Sequence, residues 1–132
     1  MNIAPVLALA IAGLTATNCL AADVRILSLP ESVVGTWAPN ANACNGSGSE
    51  KISIAPKRHS NADASCEIAW ITVTASRDGP VYSARSNCAR TTGGPKEAPS
   101  YLVVSPRPDN KLILRLPEAD SESEMVTYQK CQ

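Results

Sequence analysis

Four cysteines limit what this chain can fold into more than any other feature. Cys44, Cys66, Cys88 and Cys131 are spaced 22, 22 and 43 residues apart. Zinc sites favour short ligand spacings and dithiol redox enzymes favour Cys-x-x-Cys, and neither pattern occurs here. Two disulfides are therefore the expected use, with three possible pairings. The residues around the middle two cysteines favour one pairing. Residues 65–74 are rich in β-branched and aromatic side chains and read as a strand, and residues 81–89 read as a second. Between them, Ser76-Arg77-Asp78-Gly79-Pro80 is a turn. A turn centred near Arg77 and Asp78 sets Cys66 opposite Cys88 on adjacent antiparallel strands, within disulfide reach. Cys44 then falls to Cys131. In the chain-entropy account the inner bond contributes roughly 3 kcal/mol and the outer one roughly 4–5 kcal/mol.

Disulfides form in oxidising compartments, and residues 1–22 read as a secretory signal. An apolar run begins at Ala4, is interrupted by Pro5 and reaches Thr17. It is shorter than the roughly 20 residues that a membrane span requires. Small residues follow at cleavage spacing, Cys19-Leu20-Ala21-Ala22, with the cut expected after Ala21 or Ala22. No Lys or Arg precedes the run, so the α-amino group alone supplies positive charge there. The rival readings are a buried N-terminal helix and a lipoprotein anchor at Cys19. The residues Ala16-Thr17-Asn18 lack the leucine and small-residue run of such anchors. The expectation is a periplasmic or secreted protein, with residues 23–132 forming one domain and no membrane span in the mature chain.

The chain carries 12 basic and 12 acidic residues and no net charge. It has no broad field to draw it to nucleic acid or to an anionic membrane. Phe is absent, and the aromatic residues are Trp37, Trp70, Tyr82, Tyr101 and Tyr128. The core must be built mainly from Val, Ile, Leu and Ala. Residues 51–55 alternate polar and apolar, as a half-buried strand does. Residues 101–104, 112–116 and 125–131 read as further strands. Gly35-Thr36-Trp37 suggests a close backbone approach beside a Trp that plugs one end of a small core. No helical periodicity extends beyond a single turn before Trp37. The fold expected is all-β: an antiparallel meander of about 6–7 strands closed as a small barrel or sandwich.

Candidate chemistry is sparse. His59 is the only histidine, and it is expected on an exposed polar loop over residues 57–64. The adjacent Ser60 does not suit a Ser-His-Asp arrangement. Glu118, Asp120, Glu122 and Glu124 lack the glycine of a calcium loop and read as a solvated turn. Lys57-Arg58-His59 is too small a basic patch for nucleic acid. Asn45-Gly46-Ser47 matches the N-glycosylation pattern. No catalytic, cofactor-binding or metal-ligating residue is assigned, and no cofactor is expected.

Gly35-Thr36-Trp37-Ala38 with Cys44, Ile52-Ser53-Ile54, Cys66-Glu67-Ile68, the stretch from Tyr82 to Cys88 and Tyr128-Gln129-Lys130-Cys131 together resemble small exported proteins of rhizobia-type bacteria. That resemblance implies a periplasmic home. The Gly-x-Trp with a cysteine soon after is also similar to bacterial lipocalin-like protease inhibitors, which implies a small secreted barrel. The cysteine count is higher here and no obvious inhibitory arm opens the chain, so no inhibitory residue is carried over. The function expected is a non-enzymatic binding or inhibitor-like module for a protein in the periplasm or outside the cell. Its contact loops would be residues 39–50 and 90–100. The alternatives are a small-ligand carrier with an apolar pocket in the barrel and an envelope structural or stress protein.

Overall fold

The computed structural model describes residues 23–48, 50–91, 98–115 and 125–132. The signal segment with Cys19, the acidic cluster at Glu118–Glu124 and the middle of the 90–100 loop lie outside the described residues. The elements in chain order are β1 (Val24–Ile26), β2 (Gly35–Ala38), α1 (Ala41–Asn45), β3 (Ile52–Ala55), β4 (Arg58–Ser60), β5 (Ala64–Ser76), β6 (Gly79–Arg90), β7 (Ala98–Arg107), β8 (Lys111–Arg115) and β9 (Val126–Lys130). From β2 to β9 each strand pairs antiparallel with the next, and β9 pairs back onto β2. The result is a closed eight-stranded meander barrel, an arrangement that leaves no free edge among its own strands. β1 is a ninth strand. It pairs with the later part of β5, Val24 facing Val73, while β4 pairs with the earlier part.

Nine strands stand where about 6–7 were expected. Three strands were not read from the pattern: β2, which has four residues, and β1 and β4, which have three each. Too few positions alternate in three residues for a period of two to register. In β4 only the middle residue, His59, is buried. The segment read as an exposed loop is the second arm of a tight hairpin that turns at Pro56-Lys57, with Ala55 facing Arg58.

The β5–β6 hairpin turns at Arg77 and Asp78, with Ser76 facing Gly79. A bulge between Ile68 and Trp70 shifts the register, so that Trp70 faces Arg85 but Ile68 faces Ser86. The extra residue has a consequence at the far end of the hairpin: it brings Cys66 opposite Cys88 instead of Ala89. The Cys66–Cys88 bond spans that pair, and Cys44–Cys131 ties α1 to the end of β9.

The barrel is filled from Trp37, Ile52, Ile54, Ile71, Ala84, Leu102, Val104, Leu112, Leu114 and Tyr128, with Leu29 and Val33 packed in from the segment before β2. Each fully buried aliphatic side chain contributes about 1.5–3 kcal/mol. The indole of Trp37 is held in place by its Nε1–H, which donates to the Val33 carbonyl at 2.9 Å. Gly35 has φ +141°, and a Cβ there would meet the Lys130 side chain at 2.8 Å. That side chain in turn sets its ammonium 5.6 Å from the Trp37 ring centroid. The glycine before Trp37 thus serves both backbone conformation and close approach.

Candidate functional site

In an up-and-down barrel, alternate connections leave from the same end. The connections β2–β3, β4–β5, β6–β7 and β8–β9 therefore share one rim, and the remaining turns lie at the other. The opposite end is closed by short turns: Pro56-Lys57, Arg77-Asp78, and Pro108 to Asn110, where Asp109 and Asn110 take φ values of 62° and 54°. The strands that flank both segments expected to make contacts, 39–50 and 90–100, open onto the shared rim.

The described parts of this rim are tied down. Asn40 caps α1, its side-chain oxygen accepting from the Ala43 N–H at 2.9 Å. The segment read as loop over 39–50 thus contains one helical turn. Cys44 in that turn is bonded to Cys131, and the Lys51 ammonium donates to the Cys44 carbonyl. A shallow cleft of about 370 Å³ lies there, lined by Asn40, Asn42, Gly46, Glu50 and Lys51 among others. Between β4 and β5, the Asn61 side chain accepts from the N–H groups of Asp63 and Ala64, both at 2.9 Å. The Thr91 hydroxyl donates to the Ala62 carbonyl, and the Thr91 N–H donates to the Asp63 carbonyl. These bonds join the β4–β5 connection to the start of the β6–β7 connection. Burial pushes the Tyr128 phenol above its ordinary range, and the Glu50 carboxylate adds to the shift.

Inside the barrel, β4, β5 and β6 meet at a polar corner. His59 faces Cys66, and Cys66 faces Cys88, on three neighbouring strands. The His59 Nε2 lies 3.0 Å from the Ser86 hydroxyl, and the Ser100 hydroxyl donates to the Cys88 sulfur at 3.0 Å. His59 is 3% exposed and Ser86 is fully buried, so the histidine is a packed interior group and not the exposed loop residue expected from the sequence. Burial lowers its pKa from 6.5 to about 4, which leaves it neutral at pH 7. The sequence offered His59 no triad partner, because the adjacent Ser60 does not suit that geometry; the hydroxyl it meets in the fold is that of Ser86. His59 and Ser86 are themselves buried, and the Cys66–Cys88 bond beside them is half-buried at Cys88. The only advance signal for His59 was its position two residues after a Pro-Lys turn that follows a clear strand.

The outer wall carries a second cluster. Trp70 on β5, Arg85 on β6 and Tyr101 on β7 are cross-strand neighbours. The Trp70 and Tyr101 rings meet edge to face at 6.4 Å, Arg25 lies over Trp70 at 4.9 Å, and Arg85 lies over Tyr101 at 5.9 Å. Tyr101 is 49% exposed. Each such cation–ring contact at an exposed site is worth about 0.5–1 kcal/mol, enough to order the arginines on the surface. At the tip of the β5–β6 hairpin, Val24, Val73, Ala75 and Pro80 line a mostly apolar cleft of about 430 Å³.

No helix among the described residues is long and apolar enough to cross a membrane. The structure defines a class, a closed eight-stranded antiparallel barrel with one added strand and two disulfides, and the disulfides are consistent with an oxidising compartment. Comparison with protein-family models, with curated proteins and with solved structures finds no match to the chain.

Proposed function

We propose that this chain is a non-enzymatic binding or inhibitor-like module, exported to the periplasm or beyond, whose contact surface is the rim that carries the long connections. One observation supports this most: the segments at 39–50 and 90–100 leave from the same end of a closed barrel, the Cys66–Cys88 bond lies near that end, and the Cys44–Cys131 bond ties the first segment to the close of β9. A partner met by pre-ordered backbone costs less entropy to bind. The interior favours this reading over a small-ligand carrier, because Trp37, Leu102, Leu112 and Leu114 fill space that a carrier would keep empty. The resemblance to exported barrel inhibitors points the same way, with a protein as the partner.

The test is capture from the host's periplasmic and secreted proteins. The oxidised protein is used as bait beside a version in which both rim segments are replaced by short turns. A stoichiometric partner that is held by the first and lost by the second is the expected result. A partner held equally by both would remove the rim from the argument.

A further inference from the structure

The corner where β4, β5 and β6 meet brings donor atoms of His59, Cys66 and Cys88 within 4.8 Å of one another. We propose that this corner, once its disulfide is reduced, is a Cys₂His site for a thiophilic cation such as zinc(II). One rung of the barrel then trades a covalent bridge for a metal.

The strand register does the assembly. The three residues are direct neighbours on adjacent strands, and their side chains point to the same, inner side. The Cα atoms of Cys66 and Cys88 are 4.0 Å apart. Two thiolates projecting in parallel from such a pair stand about as far apart as their backbones. A tetrahedral zinc with Zn–S bonds of about 2.3 Å requires sulfurs about 3.8 Å apart. With Nδ1 as the ligating nitrogen, Ser86 would hold the His59 ring through Nε2, as the outer partners of metal-bound histidines do. The Ser100 hydroxyl, 3.0 Å from the Cys88 sulfur, stands at the edge of the same nest. Cys88 and Ser100 are half-buried, so the corner is not sealed and a water can complete the fourth position. Sulfur and imidazole donors suit zinc or copper(I) and not calcium or magnesium. Sequence spacing hid this set, because its members are joined by strand pairing and not by a short motif.

The exchange balances with a dithiol as reductant. The Cys66–Cys88 bond breaks, a disulfide forms in the reductant, and two electrons and two protons pass to the cysteine sulfurs. Metal binding releases those two protons as the thiols become thiolate ligands.

The experiment titrates cobalt(II), then zinc(II), into the protein in its oxidised form and after reduction by a trialkylphosphine. The phosphine takes up oxygen from water and leaves two thiols for each disulfide broken. The reduced chain is expected to bind one cobalt with a sulfur-to-cobalt charge-transfer band and tetrahedral ligand-field bands, both abolished by zinc; the oxidised chain shows neither. His59→Gln should weaken binding by at least about 10–100-fold, the loss that even outer partners of a ligand cause. The pair Cys44→Ser/Cys131→Ser should leave the bands in place, and Cys66→Ser/Cys88→Ser should remove them. If the reduced chain loses its fold, zinc must restore the far-ultraviolet circular dichroism of the barrel. Cobalt bands absent from the reduced chain, bands that survive Cys66→Ser/Cys88→Ser, affinity unchanged in His59→Gln, or a reduced chain that zinc does not refold would each overturn the proposal.

Discussion

Where β7, β8, β9, β2 and β3 face inward, the chain supplies Leu102, Val104, Leu112, Leu114, Tyr128, Trp37 and Ile52. Where β4, β5 and β6 meet, it supplies His59, Ser86 and the Cys66–Cys88 bond, with Ser100 alongside. Both regions are buried, but different forces hold them. The aliphatic wall is held by area removed from water and by close packing, neither of which depends on pH or on redox state. The corner is held by a hydrogen bond, a covalent bond and an imidazole that must stay neutral. A barrel of this size could have been filled with aliphatic side chains throughout. A polar corner inside it makes one part of the fold sensitive to conditions while the rest is not.

The largest expected effect tests the wall. Leu102→Ala removes most of a fully buried side chain and is expected to cost about 2–5 kcal/mol in denaturant unfolding. The same loss is expected at pH 7 and at pH 5. A loss that changed with pH would mean that the wall and the corner are coupled.

Acid tests the corner. His59 titrates near 4 in the fold against 6.5 as its ordinary value. Between these pH values the unfolded chain binds a proton that the folded chain does not. The stability due to a neutral His59 is thus fully present above about pH 6.5, falls as the pH drops, and is gone near pH 4. The gap corresponds to about 3 kcal/mol. Unfolding curves between pH 7 and 4 are expected to show this loss in the natural chain and to lack it in His59→Gln. Parallel curves for the two proteins would contradict the burial of His59.

Ser86→Ala probes the same corner more gently. It leaves the imidazole without its buried partner, for an expected cost of about 1–3 kcal/mol. A double-mutant cycle with His59→Gln separates the bond from the packing; additive losses would mean that the 3.0 Å contact carries no weight.

The wall was largely legible in the sequence and the corner was not. Leu112 and Leu114 alternate with polar or less buried neighbours on β8, and Ile52 and Ile54 do so on β3. Those alternations name both the strand and its inner face. The cysteine pairing was legible too, since a turn at Arg77 and Asp78 brings Cys66 to within one position of Cys88, although the bulge between Ile68 and Trp70 that completes the register was not. His59 failed because β4 has only one buried position, flanked by Arg58 and Ser60. A charged, polar triplet looks like a loop unless its neighbours on both sides are already placed. β1 failed for a similar reason: its three residues pair only with β5, and Val24 is 60% exposed. The shared rim needed the strand count first, because one missed strand reverses which end each later connection leaves from.

The smallest expected effect separates the two faces of a single strand pair. One position along from His59 and Cys66, on the outer face, Arg58 lies opposite Glu67 with 2.7 Å between Nη2 and Oε1. The side chains are 63% and 74% exposed. Water screens the attraction, and ordering two long side chains costs entropy, so a double-mutant cycle should give only about 0.2–1 kcal/mol. Salt should reduce it further, because the screening length is about 8 Å at physiological ionic strength. If the register of β4 on β5 is set from inside, Arg58→Ala and Glu67→Ala will each leave the acid transition of His59 where it is. A coupling above about 2 kcal/mol exceeds what exposed pairs supply. A shift of that transition in either variant would show that the outer ion pair, and not the buried corner, holds the short strand in place.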